Sequence, residues 1–167
     1  MEHDMRRKTI NKKGFKYLIR DYIEQIIKEQ HIERNRFYEF SKNKYMDLIR
    51  KFYFIFSDIK NSSTQFKEKF NINRNNFRSD LKSKCIDTFF RTNDWQEYIH
   101  TIMKAIPKNE KIFLILGEGW VYEGKVEETI IVLNEITHIT DFYILSSKFE
   151  WCIAVSDMED NAIIYKI

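Results

Sequence analysis

The chain has 167 residues, 43% apolar and 32% charged, which is typical of a globular protein with one hydrophobic core. Two cysteines and apolar runs of at most five residues exclude a disulfide framework, a zinc knuckle and a membrane-spanning helix, which needs about 20 apolar residues. The charge divides unevenly: residues 1–108 hold 24 Lys and Arg against 14 Asp and Glu, and residues 109–167 hold 4 against 11. We expect a single cytoplasmic domain spanning residues 1–167, helical and basic up to residue 108, and mostly β and acidic after it.

Up to Pro107, the only proline, the apolar residues recur at helical spacing. The first predicted helix covers residues 14–30, and its apolar face consists of Phe15, Leu18, Ile19, Tyr22, Ile23, Ile26 and Ile27. Residues 31–60 predict a second helix, whose apolar face consists of Tyr45, Leu48, Ile49, Phe52, Tyr53 and Phe56.

Two further helical segments precede Pro107. Residues 65–91 predict a weaker helical stretch, because asparagines near its middle compete for the backbone; Cys85 would lie on its apolar side. Residues 94–106 predict the clearest helix, which Asp94 caps with Glu97 three residues later, and Pro107 ends it.

After Pro107 the apolar residues group into short β-branched runs. Residues 111–116 predict a central strand, and residues 117–119 a turn. Residues 125–136 fit both states: the run at 130–132 favours a strand, whereas the apolar spacing and the acidic first turn favour a helix, which we predict. Residues 141–145, 150–155 and 162–167 predict an antiparallel meander. The expected fold is α+β, with a helical N-terminal portion packed on a C-terminal antiparallel sheet of four to five strands.

No motif in the sequence specifies a reaction. The four histidines are scattered without the i,i+3 or i,i+4 spacing of a metal site, and there is no G-x-S-x-G nucleophile motif. The Gly117-Glu118-Gly119 turn lacks the third glycine of a dinucleotide fingerprint and the lysine of a P-loop. We therefore predict a protein that is not an enzyme and holds no cofactor and no metal.

The carboxylates of the second half, interleaved with aromatic residues, predict an acidic partner-binding face. Its candidate residues are Glu118, Trp120, Tyr122, Glu123, Glu127, Glu128, Trp151, Asp157, Glu159 and Asp160. Such a face captures a basic protein partner by charge and anchors it by its aromatic rings. The alternative is that the acidic half balances the basic half of the same molecule.

The basic half predicts a second binding function. Arg34, Arg36, Arg50 and Lys51 lie among aromatic residues, a combination found in nucleic-acid-binding proteins. Acidic residues interrupt this pattern, and the sequence pI of about 8.7 is below that of a typical nucleic-acid-binding domain. A nucleic-acid-binding regulator is therefore the alternative function, and we expect no membrane partner.

Residues 116–124, with the sequence LGEGWVYEG, and residues 141–145, with DFYIL, resemble small bacterial proteins encoded beside polymorphic toxins. Many of those proteins are immunity proteins, and the resemblance covers about a third of the chain. It implies a stoichiometric inhibitor built of helices and a small antiparallel sheet, with no catalytic residues to transfer. The leading expectation is thus a cytosolic immunity protein that neutralises a toxin through the acidic face.

Overall fold

The computed structural model describes residues 15–56, 79–90, 95–117, 119–136, 139, 142–156 and 161–166. The helices are α1 (Phe15–Glu29), α2 (Lys42–Phe56), α3 (Trp95–Lys104) and α4 (Val126–Glu135), and a 3-10 helix covers Ser79–Lys84. The strands are β1 (Phe37–Glu39), β2 (Cys85–Phe90), β3 (Lys111–Leu116), β4 (Val121–Lys125), β5 (Phe142–Ser146), β6 (Trp151–Ser156) and β7 (Asn161–Lys166). No helix among these residues is long and apolar enough to cross a membrane.

One antiparallel sheet joins both halves of the chain, with the strand order β1-β4-β3-β5-β6-β7-β2. The α+β class is confirmed, and the C-terminal half contributes the five consecutive strands β4, β3, β5, β6 and β7, as predicted. The strand β3 lies between β4 and β5 and is buried from Ile112 to Leu116. The N-terminal half adds one short strand at each edge of this sheet.

The two edge strands correct the sequence prediction. β2 is a strand where we expected a weak helix, so Cys85 begins a strand rather than lying on a helix. β1 falls inside the segment 31–60 assigned to the second helix, which begins only at Lys42. In both cases pairing decides the structure: β1 pairs with β4, and β2 pairs with β7. These partners lie far away in the sequence, so local spacing does not reveal them.

Helices cover both faces of the sheet, because the strands are apolar on both sides. In β3, Ile112 and Leu114 belong to the core beneath α1, α3 and α4, which we call the three-helix face. The alternate residues Phe113 and Ile115 belong to the core beneath α2, which we call the α2 face. This burial on both sides explains why β3 shows no alternation of polar and apolar residues.

Helix α4 resolves the ambiguity at residues 125–136 in favour of the predicted helix. Val126, Val132 and Leu133 are buried in the core of the three-helix face. Glu127 and Glu128 occupy the first turn, where their charge complements the helix dipole. The Thr129 hydroxyl donates a hydrogen bond to the Lys125 carbonyl at 2.8 Å, inside the first turn.

Two glycines of the second half have a structural role. Gly119 has a φ of +90°, which side chains of L-residues rarely adopt, and this conformation turns the chain between β3 and β4. At Gly124 a Cβ atom would overlap the Phe37 ring, so β1 can pack on β4 only with glycine there.

Candidate partner-binding surface

The predicted acidic face does not assemble as an exposed surface. Trp120, Tyr122, Glu123 and Glu128 are buried, with exposed fractions of at most 9%. Trp151 is partly buried against the core of the three-helix face. Glu118, Asp157, Glu159 and Asp160 lie outside the described residues. Of the predicted carboxylates that the structure describes, only that of Glu127 is substantially exposed, at 46% of its side chain.

Tyr122 is part of the core rather than an anchor for a partner. Its ring stacks on Phe37, with centroids 5.2 Å apart and planes inclined by 10°. Its hydroxyl is buried and has no hydrogen-bond partner among the described residues. Burial, together with the charges of Glu24 and Glu39, raises the pKa of Tyr122 above its usual value. Tyr122, a candidate residue of the predicted acidic face, is therefore buried in the core.

Trp120 is also covered, in this case by cations of the N-terminal half. The Arg20 guanidinium and the Lys42 ammonium each lie 5.4 Å from the centre of its ring. This distance is within the range of cation–π interactions. With 8% of its surface exposed, Trp120 cannot act as the exposed anchor that we predicted.

Glu39 on β1 binds polar side chains next to the Trp120 ring. Its carboxylate accepts hydrogen bonds from Arg20 at 2.8 Å and from Tyr45 at 2.7 Å. Burial alone would raise the pKa of Glu39, but the hydrogen bonds from Arg20 and Tyr45 outweigh it, and the pKa lies below its usual value. The ionised Glu39 carboxylate links β1 to α1 and α2. Because its pKa is lowered, it is a poor proton donor.

Arg36 connects the basic half to the acidic half. Its guanidinium donates to both carboxylate oxygens of Glu128, whose side chain is only 10% exposed. It also lies 3.6 Å from the Glu127 carboxylate, which Lys108 approaches to 3.4 Å. Glu127 and Glu128 thus neutralise cations of the first half rather than facing a partner.

Glu123 on β4 is neutralised at the same edge of the sheet. Its carboxylate accepts a hydrogen bond from Lys111 at 2.9 Å and another from the Tyr38 hydroxyl. Burial, and then the bond to Glu123, raise the pKa of Tyr38 to about 12. The pairs of Arg36 and Lys108 with Glu127 and Glu128 show that the two halves of opposite charge meet within one molecule, whereas the Lys111–Glu123 pair lies within the acidic half. The alternative that the sequence left open is the arrangement found here.

The residues proposed for nucleic-acid binding are separated in the fold. Arg34 pairs with Glu24 at 2.7 Å, and Arg36 pairs with Glu128, both on the side of the three-helix face. Arg50 lies 3.5 Å from Asp47 on α2, on the opposite side of the sheet, and Lys51 follows it in the same helix. The four cations therefore do not form one patch.

One surface that the sequence did not predict combines an exposed aromatic ring with carboxylates. We call it the Tyr22 surface, and it consists of Tyr22, Gln25, Glu29, Gln30 and Glu135. Tyr22 is 41% exposed, and its hydroxyl donates to the Glu135 carbonyl at 3.4 Å, which joins α1 to α4. The sequence places Tyr22 on the apolar face of α1, but it lies at the margin of that face and half of it reaches solvent.

The carboxylates of the Tyr22 surface have amide partners in place of cations. Glu29 accepts a hydrogen bond from Gln25 at 2.7 Å, and Glu135 accepts one from Gln30 at 3.5 Å. No ion pair involves Glu29 or Glu135 within the part of the chain that the structure describes. Their negative charge is therefore available to a partner.

A second exposed aromatic ring lies on α2. Phe54 is 83% exposed, far more than any other large hydrophobic residue in the described ranges. It lies within the apolar run of residues 52–56 but off the predicted apolar face of that helix. The position of Phe54 off that apolar face is the sequence signal that could have identified its exposure.

Little in the described residues suggests chemistry. Cys152 is fully buried, and burial raises the pKa of its thiol well above the usual value, which makes it a poor nucleophile. No group of three His, Cys, Asp or Glu side chains in the described ranges is placed to hold a metal ion. Among the described residues, Tyr22 and Phe54 are the two exposed aromatic side chains outside the core.

Comparison with models of protein families identifies a family for this chain. The model of a family of unknown function (DUF6756) matches residues 15–167, which is most of the chain. No curated protein and no solved structure matches it.

Proposed function

We propose that this chain, which belongs to the family of unknown function DUF6756, is a cytosolic protein-binding protein that holds a basic protein against the Tyr22 surface. The observation that carries the proposal is the half-exposed Tyr22 ring beside two carboxylates, Glu29 and Glu135, that have no ion pair among the described residues.

Charge is the first part of the argument. Glu39, Glu123 and Glu128 are each compensated by a cation of the same molecule and contribute little field outside it. Glu29 and Glu135 are exposed and pair with no cation of the residues that the structure describes, so they attract a basic surface at a distance. Attraction of this kind raises the rate of association more than the final affinity.

The aromatic ring is the second part. Tyrosine is enriched at the centres of protein interfaces, because its ring buries apolar area while its hydroxyl keeps a hydrogen bond. Tyr22 already satisfies its hydroxyl within the molecule, on the Glu135 carbonyl, so a partner can cover the ring without leaving this group unpaired.

The resemblance to proteins of toxin loci suggests the kind of partner. An immunity protein blocks a toxin by stoichiometric contact, and the active-site face of a toxin that acts on nucleic acid is basic. In the proposed complex the Tyr22 surface covers such a face. This function needs no catalytic group on the inhibitor, only a rigid scaffold that presents charge and one ring.

The experiment is capture of partners from native cells with the tagged chain, with and without nuclease, followed by association kinetics with the captured protein. For the variant with Glu29→Lys and Glu135→Lys we expect an association rate at least tenfold lower and less dependent on salt. The matched control, Glu97→Lys with Glu150→Lys, reverses two exposed carboxylates elsewhere and should change the rate little. If both variants slow association equally, or only nucleic acid is recovered, the proposal fails.

A further inference from the structure

A shallow groove lies between α3 and α4, next to the Tyr22 surface. Its lining is mostly apolar and includes Ile99, Met103, Ile130, Leu133, His100 and Asn134. We call it the α3–α4 groove. Asn134 is exposed and precedes Glu135 in the chain, so the groove and the Tyr22 surface meet at the C-terminal end of α4.

A fixed contact between the two helices forms this groove. The Gln96 amide on α3 donates hydrogen bonds to the carbonyls of Leu133 and Ile136, both at 2.9 Å, at the C-terminal end of α4. Ile99 and Met103 are buried in the core of the three-helix face, which holds α3 in place. A preformed groove of this kind requires little ordering when a partner binds.

Helix α4 carries apolar residues on its outer side as well as on its buried side. Ile130 and Ile131 lie there next to Asn134 and Glu135, and both isoleucines are only half-buried. A surface helix usually carries polar residues opposite its buried side. Two adjacent isoleucines beside an apolar groove are instead typical of a contact surface.

The charge next to the groove favours a basic occupant. Ile131 precedes Glu135 by one helical turn, and the Glu135 carboxylate accepts a hydrogen bond only from the Gln30 amide among the described residues. Glu29 adds a second carboxylate that no described cation pairs with. A side chain that enters the groove therefore brings its neighbours close to negative charge, which attracts cations and repels carboxylates.

We propose that the basic partner of the Tyr22 surface packs one aliphatic side chain, flanked by cationic residues, into the α3–α4 groove. This inference rests on the proposed function and adds a second contact to it. The carboxylates raise the rate of association, whereas burial of the aliphatic side chain lowers the rate of dissociation.

Two other occupants fit the groove less well. A second copy of the chain, related by a twofold axis across α4, would bring the carboxylates of both Tyr22 surfaces together, and like charges repel. A small apolar molecule needs a cavity that buries most of its surface, and the shallow α3–α4 groove leaves one side of any occupant open.

The test titrates the full chain with three blocked peptides and follows its backbone amide signals by NMR. The first peptide has four lysines around a central leucine, the second has serine in place of the leucine, and the third has four glutamates around leucine. We expect the lysine–leucine peptide to bind about tenfold more tightly than the lysine–serine peptide, because only it buries an aliphatic side chain. It should shift the amide signals of α3 and α4 around the groove, and the glutamate peptide should not bind.

A variant that fills the groove gives the second measurement. Asn134→Trp places a ring over the groove from an exposed position, so the leucine peptide should lose its advantage over the serine peptide. The matched control, Asn43→Trp, adds the same ring at an exposed position of α2, on the opposite side of the sheet, and should retain the difference. With a captured partner protein, Asn134→Trp should raise the dissociation rate about tenfold and leave the association rate unchanged. Circular dichroism of each variant confirms that the comparison concerns folded protein.

The outcomes separate this inference from the proposed function. Equal binding of the leucine and serine peptides, or an unchanged difference between them in Asn134→Trp, would overturn the groove contact alone. Equal binding of the glutamate and lysine peptides, or unchanged binding of the lysine peptides to the variant with Glu29→Lys and Glu135→Lys, would contradict the proposed function. If neither lysine peptide bound, both would fail.

Discussion

The two faces of the sheet are covered in different ways. On the α2 face the helix attaches largely through aromatic rings, and Leu81 of the 3-10 helix joins the same core. Phe52 lies 5.3 Å from Phe56 and 5.1 Å from Tyr143, between ring centres. On the three-helix face the core is mostly isoleucine, leucine and valine, and ion pairs surround its margin at β1 and β4.

This difference affects which charged side chains form ion pairs within the molecule. The margin of the three-helix face brings acidic and basic segments together, so several carboxylates there are neutralised, whereas those of the Tyr22 surface have no ion pair among the described residues. Helix α2 meets the sheet through aromatic and aliphatic side chains, and its charged residues lie outside that contact.

The largest expected effect concerns the α2 face. Phe52→Ala removes a fully buried ring from the aromatic cluster, and we expect the free energy of unfolding to fall by about 3–5 kcal/mol. Phe54→Ala is the matched control on the same helix, and its effect should stay within about 0.5 kcal/mol. Urea unfolding of both variants measures the difference. A loss below about 1 kcal/mol for Phe52→Ala would mean that the rings do not hold this helix.

An intermediate effect is expected at the margin of the three-helix face. Glu128→Gln leaves the Arg36 guanidinium without its main carboxylate, and we expect a loss of about 1–2 kcal/mol, reduced because the arginine side chain remains 31% exposed. Glu127→Gln, at a carboxylate 46% exposed, should cost less than about 0.5 kcal/mol.

A double-mutant cycle with Arg36→Met isolates the pair in this second experiment. Equal losses in Glu127→Gln and Glu128→Gln would show that the buried pair is worth no more than the exposed one. The ion pairs at this margin would then stabilise the protein no more than ion pairs elsewhere on its surface.

The smallest effect is expected for Tyr122→Phe at neutral pH. Because the hydroxyl is buried without a partner among the described residues, its removal should leave the free energy of unfolding unchanged or raise it by up to about 1 kcal/mol. The effect of the Tyr122 hydroxyl on the free energy of unfolding should be larger at high pH. Tyr122 has a raised pKa in the folded protein, so the unfolded chain releases this proton first and stability falls above pH 10.

The phenylalanine variant lacks this proton, so it should lose less stability between pH 10 and pH 12 than the unchanged protein. Tyr38 and Tyr45, whose pKa values are also raised, still contribute to the fall in both proteins. Urea unfolding at pH 7 and pH 11 measures both effects. A clear loss of stability in the variant at pH 7 would show that the hydroxyl has a partner that matters.

Local pattern was sufficient to predict the elements whose residues repeat regularly. The helices α1, α3 and α4 and the strands β3, β5, β6 and β7 were predicted within a few residues, because burial on one helix side or in a sheet centre imposes that spacing. β1 has only three residues, too few for any period. β2 is fixed by β7, and no feature of residues 85–90 alone indicates that partner.

The binding surface was harder to predict than the fold, because ion pairing is non-local. Glu128 finds its cation 92 residues away, at Arg36, so the sequence cannot tell a compensated carboxylate from a free one. Tyr122 and Trp120 look like exposed anchors in a run of glycines and glutamates, yet the strand pairing of β4 turns both inward. The exposure of Phe54 was not predicted, although helical spacing alone separates this residue from the buried side of α2.

The strand order also has a consequence for how the chain is synthesised. The two outermost strands emerge from the ribosome before the five strands between them. The strand β2 can pair only after β7 has been synthesised, about 70 residues later. At about 5–20 residues per second this delay is several seconds, during which the apolar residues of β2 have no partner. The nascent protein therefore spends that interval vulnerable to aggregation, and chaperones that hold extended apolar segments are expected to raise its yield.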